Sequence, residues 1–396
     1  MKSQSIYASL LLCILTFTRF LTIAAELCID FPNPLDHSEK VIVECPTTAN
    51  TDTDVKRQTI NFFQVTHNCT VNVALCNKVK IAFIDAGVEI SKVLNLKQII
   101  KVYVFFTDFN DINILGSAGS ARKIPLISDD KIIRFYPQAL VKQFSLDPHP
   151  EYSDLDIIAH FNAGQEWWFR NDNVAIEPEQ IDFNELILHE LIHGLGFESS
   201  WNDDLEYLDR QKTTGLTPDF LFHSNEFLGF YEYIFDRYVN FLSSSSVVST
   251  STSYTYQLNM AVAKKTSFNT YSDFVTEVKS SSQWKYAESA LIHAITNYSL
   301  YFAPAKYTSS NKGVYLESGL YPFARGSSIS HVSIIYEKTP DFLMTWKQDP
   351  GETLEETIQF VNYTSPIGPG ILSILESIGY ETDNSPNPIK PTYIHE

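Results

Sequence analysis

His189, Glu190 and His193 have the types and spacing for metal-assisted hydrolysis. They stand in His189-Glu190-Leu191-Ile192-His193-Gly194-Leu195-Gly196-Phe197. Residues four apart on a helix share a face, so the two imidazoles can chelate one Zn²⁺. The carboxylate beside the first histidine can then take a proton from metal-bound water.

A helix must present them, and its signals are independent of the motif. Asp182 followed by Glu185 reads as an N-terminal capping pair. Ile187, Leu188, Leu191, Ile192 and Leu195 fall on one apolar stripe, with both histidines opposite. One face is therefore expected in a core while the other lines a cleft. Gly194 and Gly196 supply the stop. The plainer reading, a buried helix that merely carries two histidines, fits poorly with their position opposite the stripe.

Three side-chain ligands are usual for a catalytic zinc. In the compact arrangement the third follows soon after the glycine, and here that place is Ser199, a poor ligand. His331 offers the distant alternative, in Arg325-Gly326-Ser327-Ser328-Ile329-Ser330-His331. Met344 follows in Thr339-Pro340-Asp341-Phe342-Leu343-Met344-Thr345, and Gly368 to Tyr380 reads as a late helix ended by Gly379. Asp203, Asp204, Glu206 and Asp209 are rivals for the third place, as are His223 and His293. Each has a plainer reading as a solvated or packing residue. His160, at the end of a predicted strand, is a further candidate for contact with substrate.

With these segments the chain resembles the leishmanolysin-like metzincins, as a distant relative. The likeness runs over about Lys80 to Tyr380 and is specific at the helix and at Gly326 to Met344. It implies a metzincin-like α+β fold, a mixed sheet with an active-site helix, and a zinc peptidase activity. By the same likeness His189, His193 and His331 are the zinc ligands, Glu190 is the base, and Met344 is the methionine turn. The cysteine-bearing amino-terminal segment departs from the family's pattern.

The 396 residues carry a formal charge of −18, with 44% hydrophobic and 19% charged residues. That is the composition of a folded protein. Its charge argues against nucleic acid and anionic membranes as partners. Lys2, the apolar run Ile6 to Phe17, and Ala24-Ala25 read as a secretion signal over residues 1–25. No other apolar run is long enough to span a membrane, and the polar end from Thr382 to Glu396 lacks a lipid-anchor signal. Cys13 belongs to the signal. Cys28, Cys45, Cys69 and Cys76 remain, and short loops favour Cys28–Cys45 with Cys69–Cys76. Asn68, Asn297 and Asn362 are glycosylation sequons.

The expected order is a disulfide-bearing segment at 26–79, a catalytic part with the zinc helix at 80–200, an insertion at 201–320, and a carboxyl-terminal part at 321–396. Lys80 to Leu96 reads as helix, and Ile99 to Phe106 and Leu155 to Phe161 as strands. Phe230 to Leu242 and Tyr271 to Asn297 read as helices, and the Ser/Thr run from Ser243 through Thr255 as an exposed loop. The function expected is that of a secreted zinc metalloendopeptidase, its peptide substrate extended along the strand Leu155 to Phe161. A secreted zinc-binding interaction protein with a vestigial site is the alternative, and Ser199 is the residue that favours it.

Overall fold

Ile100–Thr107 alternates buried with half-exposed or exposed side chains, and in the computed structural model it is an inner strand. The structure describes residues 27–36, 38–48, 61–242, 248–306 and 313–393. The leader read at 1–25 and the run Ser243 to Ser246 lie outside them.

The first part of the chain supplies strands Leu27–Asp30 (β1), Val41–Glu44 (β2) and Phe63–Cys69 (β3), then helix Val73–Val93 (α1). Strands Ile100–Thr107 (β4), Gly116–Ser120 (β5), Arg122–Ile127 (β6), Ile133–Pro137 (β7) and Ile157–Asn162 (β8) follow, and then helix Phe183–Gly194 (α2). One sheet has the order β3-β4-β8-β5, with β5 antiparallel to its neighbour and the others parallel. A second, antiparallel sheet has the order β2-β1-β6-β7. Only Ala121 separates β5 from β6. Its N–H donates to Asp156 O and its carbonyl accepts from Phe31 N–H, so the chain bends from one sheet into the other.

Helices α1 and α2 lie on one face of the first sheet. Phe183 at the start of α2 packs edge-on against Phe106 and Phe161, at 5.6 and 5.4 Å between ring centroids. The end of α2 comes closer still. A Cβ at Gly194 would meet Ile157 at 2.7 Å, so only glycine lets the helix approach β8 there. The next glycine, Gly196, turns the chain with a φ of +110°.

Both expected disulfides are present, Cys28–Cys45 and Cys69–Cys76. The first closes the β1–β2 hairpin, whose β1 is an inner strand, and Asp30 grips Arg122 through two bonds of 2.6 and 2.8 Å. Replacing Cys28 and Cys45 together by serine should cost about 3 kcal/mol of stability, as a loop of this length implies. A denaturant midpoint unchanged from wild type would contradict this.

The 201–320 stretch is more β-structured than its periodicity predicts. It holds the hairpin Asp219–His223 (β9) and Glu226–Tyr231 (β10). A sheet of Val239–Leu242 (β11), Val248–Thr250 (β12), Leu300–Phe302 (β13) and Val314–Tyr315 (β14) lies beside it. Phe230 to Leu242 is therefore no helix. It is the end of β10, a 3₁₀ turn at Ile234–Tyr238, and β11, because its aromatic and β-branched residues find strand partners. The Ser/Thr run is likewise no loop beyond residue 247. Thr250 accepts from Ser253 N–H and caps helix Ser251–Ala261 (α3), with Tyr254 and Leu258 buried. The helix read over Tyr271 to Asn297 is two, Tyr271–Ser280 (α4) and Trp284–Ala294 (α5). Leu258, Phe274 and Phe235 belong to the same continuous core as Ile157 and Leu191, so this stretch is packed into the rest.

Helices Leu354–Phe360 (α6) and Pro369–Ile378 (α7) close the fold, and Tyr380 donates its hydroxyl to Leu195 O at 3.0 Å. Among the described residues no helix is long and apolar enough to cross a membrane. The fold is mixed α+β. Asn68, Asn297 and Asn362 are all exposed.

Candidate metal centre

Helix α2 forms where its signals place it. Asp182 Oδ1 accepts from the N–H groups of Asn184 and Glu185 at 2.8 and 3.3 Å. Its Oδ2 accepts from Leu354 N–H at 2.9 Å, which ties the helix start to α6. Ile187, Leu188, Leu191, Ile192 and Leu195 are buried, while His189, Glu190 and His193 face a cleft of about 580 Å³.

Three imidazoles converge there. Nε2 of His189 lies 3.1 Å from Nε2 of both His193 and His331, and the remaining pair is 3.2 Å apart. Each Nδ1 meets a backbone carbonyl: Leu343 O for His189 at 2.6 Å, Phe197 O for His193 at 2.7 Å, Ser327 O for His331 at 2.9 Å. A carbonyl only accepts, so each Nδ1 carries the proton and each Nε2 presents a lone pair. Three lone pairs aimed at one point repel unless a cation sits between them. Nitrogens about 2.0–2.1 Å from a tetrahedral zinc lie roughly 3.3–3.4 Å apart, close to the spacing found. The donor set fits the metal. Burial, and then the neighbouring imidazoles, push His189 down to about 3 and His331 well below its ordinary value, so both remain neutral.

Glu190 is buried beside them and accepts from Ala118 N–H through Oε2 at 2.6 Å. Burial pushes its carboxyl up to about 8, against the lowering effect of that bond. Ala118 belongs to β5, one of the two edge strands of its sheet. The strand expected to receive substrate, Leu155 to Phe161, lies between β4 and β5 and has no open edge. His160 is no cleft residue either: its ring packs 4.4 Å from Phe105.

Met344 is buried in a 3₁₀ turn, Phe342–Met344. This turn holds both halves of the site, since Leu343 O accepts from His189 Nδ1–H while Met344 O accepts from Val332 N–H, next to His331. Ile329, two residues before His331, has a φ of 70°, a costly conformation for a β-branched side chain.

The rivals for third ligand are engaged elsewhere. Asp203 and Asp204 pair with Arg325, and Glu206 with Lys279 and the N–H groups of Thr214 and Gly215. Asp209 accepts from Gln211 and Ser272, His223 is exposed, and His293 packs against Phe241. Among the described residues no other group of three or more His, Cys, Asp or Glu side chains gathers as a ligand set.

Sequence reasoning missed the supports. Ser199 donates its hydroxyl to Asp236 Oδ1 at 2.6 Å and its N–H to Ser330 Oγ at 3.1 Å. In the sequence Ser199 stands out only as a poor ligand at a ligand position. Asp236 carried no signal, lying in a stretch read as helix.

The chain matches the SPBPB7E8-like family model over residues 28–395. It is 28% identical over 369 residues to the uncharacterized protein PB7E8.01 of Schizosaccharomyces pombe, a match covering 83% of this chain and 64% of that protein. The chain thus spans less than two thirds of that relative's length. No solved structure matches. With all three histidines and Glu190 inside the matched span, this chain belongs to the SPBPB7E8-like family.

Proposed function

We propose that this chain is a secreted zinc metalloendopeptidase with a metzincin-like site, in which His189, His193 and His331 hold the metal, Glu190 is the base, and Met344 forms the supporting turn. The observation that carries the reading is the convergence of three unprotonated Nε2 atoms in a cleft, each fixed by a carbonyl behind it. A bound Zn²⁺ supplies an acidified water and polarises the carbonyl under attack.

The protein's own groups supply the rest. Glu190 Oε2 is committed to Ala118 N–H, so Oε1 is the oxygen that takes the water's proton and delivers it to the departing amine. Edge strand β5 lines the cleft with Gly116, Ser117 and Ala118, and an extended peptide can add to it by backbone pairing. Two disulfides and the leader-like residues 1–25 support an extracellular location.

The interaction-protein alternative drew on Ser199, which has a structural role of its own through Asp236. Zinc content of the purified protein, with chelator-sensitive cleavage of an unfolded protein substrate, tests the reading. One zinc per chain and cleavage are expected. Zinc without cleavage would favour the alternative, and the absence of both zinc and cleavage would overturn the metal reading.

A further inference from the structure

Two of the three histidines are held through segments that the metal helix does not reach. His193 depends on Phe197 O, at the start of the loop Phe197-Glu198-Ser199-Ser200, and His331 depends on the turn at Ser327 to Ser330. Ser199 N–H joins these segments directly, donating to Ser330 Oγ at 3.1 Å. Something must hold Ser199 in place for that bond to form.

We propose that Asp236, in the 3₁₀ turn of the 201–320 stretch, is the positioning residue that fixes the distance between His193 and His331. The inference rests on the metal reading above. Asp236 is fully buried and its carboxylate accepts three bonds: Oδ1 from Ser199 Oγ at 2.6 Å, and Oδ2 from Ser200 N–H at 2.9 Å and Tyr233 N–H at 3.0 Å. Phe235 beside it packs against Phe197 with its ring tilted, at 5.1 Å between centroids. Where a compact site would place a ligand, this chain has a serine whose hydroxyl is drawn backward into the stretch. The third imidazole stands at position 331 instead, and Ser199 serves as the strut that aligns it. The 201–320 stretch is then a working part of the metal centre.

The test compares Asp236→Ala, Asp236→Asn and Glu232→Gln. An asparagine can accept from both N–H groups and donate to Ser199, so it should rescue. Glu232 is a buried acid of the same stretch whose bonds run to Arg134, Thr252 and Ser251, the last of which also accepts from Trp201 Nε1, and it makes no bond to residues 197–200 or 327–331. Zinc affinity, read by competition with a chromophoric chelator, should fall about 10–100-fold in Asp236→Ala. It should stay within about threefold of wild type in the other two. In the metal-free proteins, amide hydrogen exchange should quicken at both 197–201 and 327–331 in Asp236→Ala alone. Wild-type affinity and exchange in Asp236→Ala, or equal losses in Glu232→Gln, would overturn the proposal. A wild-type protein that takes up no zinc defeats the metal reading by itself, and the exchange measurement then decides whether Asp236 joins the two histidine segments.

Discussion

Glu190→Gln is expected to keep a full complement of zinc and lose about 10²–10⁴-fold in turnover, or about 2.7–5.4 kcal/mol of barrier. The amide keeps the shape of the side chain and can still accept from Ala118 N–H through its oxygen, so the helix and the cleft wall stay as they are. What it cannot do is receive a proton. The loss should fall on kcat, with KM little changed, because the substrate pairing proposed along β5 does not involve this side chain. Metal analysis and peptide kinetics on the same sample check both halves. Undiminished turnover would remove Glu190 from the chemistry, whereas loss of zinc would make it a structural support.

His331→Ala has the larger effect on the metal. Two imidazoles on one turn of α2 remain, and zinc bound by these alone should be held well over 100-fold more weakly than by three, a larger loss than removal of an outer support. The stability readout is independent of activity. Wild type with free zinc at about 100 times its Kd gains about 2.7 kcal/mol, and a chelator should remove that gain. In His331→Ala the chelator should change almost nothing. Tight, stoichiometric zinc in this variant would mean that some other side chain closes the site.

Much of the centre was legible in the residues because its signals are local. Asp182 and the stripe from Ile187 to Leu195 specify α2 without help from the rest of the chain, and the two short cysteine loops close as spacing favours. His331 was legible through its company, Gly326 to Met344. The failures share one cause: tertiary contacts overrode a local pattern. Gly116-Ser117-Ala118-Gly119-Ser120 has almost no strand propensity, yet it becomes the edge beside Glu190 because β8 offers it a partner. Phe230 to Leu242 has the spacing of a helix but pairs with β9 and β13. Asp236 shows locally only a cap on Tyr233 N–H, and the partners that tie it to the site lie 36 and 37 positions earlier in the chain.

The hairpin at the front of the described chain bears on how such a protein could be kept latent. Zymogens commonly silence themselves with a leading peptide held by surface contacts, which a single cut releases. Leu27–Asp30 is the wrong kind of object for that. It is flanked by strands on both sides, covalently pinned through Cys28, and followed by Pro34, Leu35 and Asp36 on the cleft wall. Excising it would strip β6 of one of its two neighbours and open the wall of the cleft, so clipping inside this hairpin should destroy the protein it was meant to switch on.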